Sequence, residues 1–140
     1  MCRICLEDEE DFQSGNPFIT PCKCIGSMKY IHVKCLREWT DSKKQSQAGI
    51  GITSYYWENL HCELCKSQLD LVVRPSSNPD KAIFLLDLER PVDVPYMILE
   101  SDIDCASKAI HILNLSTKKH FVVGRRVNCE ISVSDISVSR

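Results

Sequence analysis

Eight cysteine and histidine side chains among the first 65 residues constrain this chain more than anything else in it. They run Cys2-x2-Cys5, sixteen residues, Cys22-x-Cys24, seven residues, His32-x2-Cys35, twenty-six residues, Cys62-x2-Cys65. Two residues between cysteines let a tight turn aim both sulfurs at one ion, and a single residue does so from bulged backbone. Eight sulfur and imidazole donors are enough for two tetrahedral zinc ions. A segment this short buries too little apolar surface to fold unaided. Structural zinc contributes on the order of 10 kcal/mol of apparent binding free energy coupled to folding, so the segment is expected to unfold without metal. Four protein ligands per ion leave no position for an activated water, so zinc here builds shape and does not hydrolyse.

Nine cysteines are present, seven of them in this segment. Residues 1–5 lack an apolar signal region, so a cytoplasmic or nuclear compartment is expected, where thiols stay reduced. A disulfide framework is the competing reading, and both spacing and compartment argue against it. Cys105 and Cys129 lie outside the pattern and read as buried free thiols, and His61, His111 and His120 as histidines without a role. The net charge of -2 gives no reason to expect nucleic-acid binding. No apolar run approaches the length of a membrane span.

Between the ligands the text reads Cys2-Arg3-Ile4-Cys5-Leu6-Glu7, Pro21-Cys22-Lys23-Cys24-Ile25-Gly26-Ser27, Tyr30-Ile31-His32-Val33-Lys34-Cys35-Leu36, Trp39 and Cys62-Glu63-Leu64-Cys65-Lys66. It resembles the RING-CH (RING-variant) finger. Spacing alone leaves sequential pairing of the ligands open. The resemblance implies an interleaved cross-brace, with Cys2, Cys5, His32 and Cys35 on one zinc and Cys22, Cys24, Cys62 and Cys65 on the other. A plant-homeodomain finger shares the ligand order but usually has a wider third interval and a Trp where Leu60 stands.

The resemblance further implies a RING-type ubiquitin-protein ligase: a scaffold without a catalytic nucleophile that holds a ubiquitin-charged conjugating enzyme in an attack-ready geometry while a substrate lysine attacks. Ile4, Trp39 and Leu64 would form the apolar contact with that enzyme, and Lys66 would stand where many such fingers carry an arginine. That lysine, and the absence of a proline between Cys62 and Cys65, favour the alternative of a non-enzymatic zinc-binding interaction module. A second alternative has Ile4 and Trp39 merely packing the small core.

A helix is expected from Val33 to about Lys43, where Val33, Leu36 and Trp39 recur at helical intervals without Gly or Pro. The long last interval suggests an inserted loop around Ala48-Gly49-Ile50-Gly51. The division read from the chain is 1–70 zinc finger, 71–92 linker, 93–140 strand-rich region. Short β-like runs fall near 96–99, 109–115, 121–123 and 131–133. The run Phe121-Val122-Val123-Gly124-Arg125, followed by Ser139-Arg140, resembles the front half of a forkhead-associated β-sandwich. That resemblance implies phosphothreonine binding through Arg125 and Ser139 and hence a phosphorylated protein substrate. The fold class is therefore α+β: a cross-braced RING-CH domain with one central helix, then the first strands of an incomplete sandwich. Half a sandwich leaves open edges, so the chain reads as part of a longer one.

Overall fold

The computed structural model describes residues 1–11, 13–101, 107–134 and 137. Its elements in chain order are β1 (Phe18–Ile19), a 3-10 turn (Gly26–Lys29), β2 (Ile31–His32), α1 (Val33–Ser42), β3 (Lys44–Gly49), β4 (Ile52–Glu58), β5 (Val72–Val73), β6 (Ile83–Phe84), β7 (Tyr96–Glu100), β8 (Ser107–Asn114), β9 (Val123–Gly124) and β10 (Ile131–Ser132). They fall into two compact units, Met1–Lys44 with Glu58–Leu88, and Gln45–Trp57 with Glu89–Arg140.

The first unit is built around α1, the one α-helix among the described residues. Val33, Leu36 and Thr40 recur on its buried face, the spacing of an apolar stripe at 3.6 residues per turn. The residue before it, His32, makes no side-chain cap; its imidazole is turned elsewhere. The orphan amides of the first turn are met by a neighbouring segment: Val33 N–H donates to the Pro17 carbonyl at 3.1 Å and Lys34 N–H to Asn16 Oδ1 at 3.0 Å. Strand β1 pairs antiparallel with β2, Phe18 opposite His32 and Ile19 opposite Ile31. The core comprises Ile19, Ile31, Val33, Leu36, Leu69, Val73 and Leu85, together with Cys2 and Cys62. Two ligand cysteines thus sit inside the only apolar cluster the unit has to offer them among its described residues.

Residues 71–92 do not run as a plain linker. They supply β5 and β6, which pair antiparallel with Val72 opposite Phe84 and Val73 opposite Ile83, and Leu85 is fully buried in the first unit's core. Two-residue strands are too short to show an alternation in sequence.

The second unit corrects the sequence reading more deeply. The expected loop around 48–51 is the tip of a hairpin formed by β3 and β4, with Ile50 and Gly51 as its turn. Gly51 has φ +71°, and a Cβ there would stand 3.1 Å from Lys118 Cβ, so a side chain would strain the backbone and press on its neighbour. The hairpin enters a four-stranded sheet of order β3-β4-β8-β7. β7 and β8, at the positions expected for strands, pair antiparallel from Tyr96 opposite Asn114 to Glu100 opposite Ile110. They are not the opening half of a self-contained sandwich, because the other half of their sheet comes from between Cys35 and Cys62. β9 and β10 form a separate parallel pair. Ile52, Leu113 and Ile131 make the buried cluster, with Leu115 and Phe121 against it. His111, expected to have no role, is buried on β8 with its Nδ1 2.8 Å from Ser54 Oγ on β4; burial holds its pKa below the usual histidine value.

An isolated two-stranded hairpin is at best marginally stable in water. Replacing residues 45–57 by a short Gly/Ser bridge is therefore expected to abolish amide protection in β7 and β8, read by hydrogen exchange. Retained protection there would show that the sheet does not depend on the inserted hairpin.

Candidate metal centre

The chain makes the same small turn twice. In the first, Leu6 N–H donates to the Cys2 carbonyl at 2.9 Å and Cys2 N–H to the Glu7 carbonyl at 2.9 Å. In the second, Lys66 N–H donates to the Cys62 carbonyl at 2.9 Å and Cys62 N–H to the Ser67 carbonyl at 2.8 Å. The residue after the second cysteine is left-handed in both, φ 64° at Leu6 and 59° at Lys66, a conformation that costs a non-glycine residue roughly 1 kcal/mol. Each turn buries its first cysteine, Cys2 and Cys62, and holds two sulfurs on one side.

These turns meet ligands from the rest of the unit in two clusters, Cys2, Cys5, His32 and Cys35, and Cys22, Cys24, Cys62 and Cys65, with donor atoms all within 4.8 Å of one another in each. A tetrahedral zinc with Zn–S near 2.3 Å requires ligand–ligand edges of about 3.8 Å. Cys24 Sγ lies 3.7 Å from Cys62 Sγ, and His32 Nδ1 lies 3.3 Å from Cys5 Sγ and 4.0 Å from Cys35 Sγ. The two clusters fit two zinc ions, and the pairing is interleaved. The described cysteines are free thiols, which removes the disulfide alternative for this segment.

The surroundings orient the ligands. The His32 imidazole faces its cluster through Nδ1, while Nε2 lies 2.9 Å from the Glu9 carbonyl. That contact fixes the tautomer, with Nε2–H donating and the Nδ1 lone pair left for metal. Phe18 stacks on the ring with centroids 4.4 Å apart and planes 9° from parallel. The amides of Ile4 and His32 both donate to Cys2 Sγ at 3.4 Å. Arg3, from the turn of the first cluster, reaches the second: its guanidinium donates to Cys62 Sγ at 3.4 Å, to Cys22 Sγ at 3.7 Å and to the Met28 carbonyl at 2.7 Å. Four thiolates around one Zn²⁺ carry a formal charge of about -2, and Arg3 places the compensating cation against them.

Gathering thiols without metal is opposed by their protons. Burial pushes Cys22 and Cys35 up to about 12, whereas the Ser67 hydroxyl, 3.0 Å away, draws the Cys65 thiol down to about 6. Zinc must displace protons from the first two, so binding and proton release are linked.

Against this geometry stand the comparisons. The RING-variant domain matches residues 2–65. Residues 2–65 are a RING-variant domain. The similar proteins include the E3 ubiquitin-protein ligase MARCHF7 of Rattus norvegicus, 37% identical over 71 residues, 51% of this chain and 9% of that protein. The ERAD-associated E3 ubiquitin-protein ligase DOA10 of Saccharomyces cerevisiae is 36% identical over 93 residues, 65% of this chain and 6% of that protein. The E3 ubiquitin-protein ligase MARCHF5 of Xenopus laevis is 29% identical over 87 residues, 62% of this chain and 26% of that protein. The chain thus spans a small part of each. No solved structure matches it. Among the described residues no helix is long and apolar enough to cross a membrane.

Beside the metal clusters the RING-variant domain opens a groove of about 230 Å³, walled by both cysteine turns, the 3-10 turn and α1. Ile4, Trp39 and Leu64 line it, as do Met28 and Leu36. Met28 was not singled out in the sequence; its only signal is an apolar residue three positions before Ile31 in an otherwise polar turn. Lys66 is not part of the lining. Arg125 follows β9 in the second unit, its Nε buried without a partner among the described residues. Ser139 and Cys105 lie outside the described residues, and Cys129 is half-buried, not fully enclosed.

Native mass spectrometry is expected to count two zinc ions per chain. Arg3→Met, which keeps the aliphatic stem but removes the charge, should weaken zinc retention at one of the two sites by about tenfold or more in a chelator competition, as loss of outer contacts commonly does. Equal retention by both proteins would mean that the guanidinium contributes nothing to the cluster.

Proposed function

We propose that this chain is a ubiquitin-ligase module whose RING-variant domain docks a ubiquitin-charged conjugating enzyme in the groove between its two cysteine turns. The observation that carries the reading is the convergence of Ile4, Leu64 and Trp39 on one apolar groove. Ile4 is 46% exposed and Leu64 56% exposed, so neither is consumed by the core. They occupy equivalent places in two copies of the same turn, and Trp39 on α1 lines the same groove. A partially exposed aromatic flanked by aliphatic side chains is the composition expected of an interface anchor. Relatives that carry this domain are named as ubiquitin ligases.

The mechanism needs no nucleophile from the chain. All eight thiol and imidazole donors are committed to metal, so none can carry a thioester. Rate comes from restricting the conjugate to orientations in which a substrate lysine can attack the thioester. Ile4, Leu64 and Trp39 hold the conjugating enzyme. Lys66, next to the last ligand, supplies a positive charge at the edge of the complex, without the planar fork an arginine would bring.

Trp39→Ala is expected to lower chain formation with a panel of conjugating enzymes by about 30-fold or more while both zinc ions stay bound. Loss of zinc from the variant would make Trp39 a core residue, and wild-type chains failing with every enzyme of the panel would favour the non-enzymatic interaction module.

A second reading concerns Arg125. A buried guanidinium nitrogen with no acceptor is unusual, and a phosphate oxygen would satisfy it. This supports phosphothreonine binding by residues 93–140, with Ser139 as the further contact. A fluorescent phosphothreonine peptide library should bind the chain in anisotropy titrations and bind Arg125→Ala about tenfold more weakly; indifference to the phosphate would end the reading.

A further inference from the structure

Trp39 is held by more than packing. Its indole Nε1–H donates to Glu63 Oε1 at 3.3 Å. The Lys43 ammonium stands 4.0 Å from that same oxygen and 4.6 Å from the centroid of the indole ring. Three groups therefore close a triangle: the indole edge on a carboxylate, the indole face under an ammonium, and the ammonium on the carboxylate. Lys43 lies four residues beyond Trp39, one helical turn along. Glu63 comes from another element, the turn between Cys62 and Cys65, two ligands of the second cluster. Its side chain is 70% exposed. A surface glutamate with that freedom usually points to water; this one takes two partners on one oxygen.

From this arrangement we infer that Glu63 is a positioning residue: it fixes the rotamer of Trp39 so that the indole stands ready in the docking groove. The inference rests on the groove being the conjugating-enzyme site. A tryptophan on a helix surface can occupy several rotamers, and freezing it at the moment of binding costs entropy. A clamp present in the free protein removes that cost beforehand. It also pairs the exposed carboxylate with an indole N–H and an ammonium of the same domain, so that the partner's apolar loop meets a partly compensated charge at the groove's rim.

The test has two parts on the full zinc-loaded chain. The first needs no partner. The chain has two tryptophans, and Trp57 Nε1 is buried with no acceptor among the described residues, so its indole N–H signal is an internal reference in ¹⁵N-resolved NMR. Glu63→Ala should shift and mobilise the Trp39 indole signal and leave that of Trp57 unchanged. Glu63→Gln, whose amide oxygen still accepts from the indole but no longer pairs with Lys43, should restore most of the shift. The second part measures affinity for whichever conjugating enzyme of the panel is most active with the wild-type chain. Glu63→Ala should bind about fivefold more weakly and Glu63→Gln about twofold, with zinc content unchanged, as befits an exposed interaction. If Trp39→Ala binds normally, the docking reading falls. If Trp39→Ala loses binding while Glu63→Ala binds as wild type, or if the Trp39 signal ignores Glu63, the docking reading stands and the clamp is overturned.

Discussion

Metal coordination by two equivalent turns is the constraint on which the first unit depends. Each turn is six backbone positions closed by a pair of hydrogen bonds, with a left-handed residue after its second cysteine. That backbone is strained at a leucine and at a lysine, residues that do not favour it. Zinc offsets the strain because both thiolates must face one ion. The core would be too small to do so: its buried apolar cluster includes Cys2 and Cys62 themselves, so removing the metal would leave two polarised sulfurs in the middle of it. Interleaving the two ligand sets then ties the start of the segment to its middle and the middle to its end. The groove is a consequence of that geometry. Once each turn points its sulfurs inward, its second intervening residue, Ile4 or Leu64, points out.

The first intervening residues of the two turns, Arg3 and Glu63, are likewise equivalent in place and opposite in charge. Each spends its charge on something its own zinc does not hold. Arg3 leaves the first cluster and lies against sulfurs of the second. Glu63 leaves the second and meets Trp39 on α1. The two turns are therefore linked through metal, through Arg3 and through the groove they share. A domain with so few buried apolar side chains gains its rigidity from such cross-links rather than from core volume.

What could be read from the sequence follows the range of the interaction concerned. Ligand identity and spacing are local matters of a few bonds, and the pattern from Cys2 to Cys65 was legible to the residue. Helix α1 was legible too, because Val33, Leu36 and Trp39 recur at a period that survives in one dimension, although the third residue buried on that face is Thr40. Ile4, Trp39 and Leu64 were legible as a set only through family resemblance, since nothing in the spacing says that three segments share a groove; Met28, from a fourth, went unseen. The hairpin of β3 and β4 was illegible for a different reason. Lys44-Gln45-Ser46-Gln47-Ala48-Gly49 is almost wholly exposed along an edge strand, and an edge that buries neither face leaves no alternation to find. β5 and β6 are too short for any period, although the core needs Val73 and Leu85.

The position of that hairpin bears on how the chain can vary. The interval between the sixth and seventh ligands supplies no ligand to either cluster, so zinc geometry asks only that its two ends return to the domain. Loop-closure cost rises slowly with length, which leaves this interval free to accept added residues. Here the added residues are two strands, β3 at the sheet's edge beside β4, and β4 beside β8 from 89–140. The second unit is consequently discontinuous in sequence. Its sheet cannot be completed until the segment between Cys35 and Cys62 has been made, and that segment is bounded on both sides by metal ligands. Folding of the second sheet is thus tied to a stretch of chain whose ends zinc fixes, a dependence that follows from chain order alone.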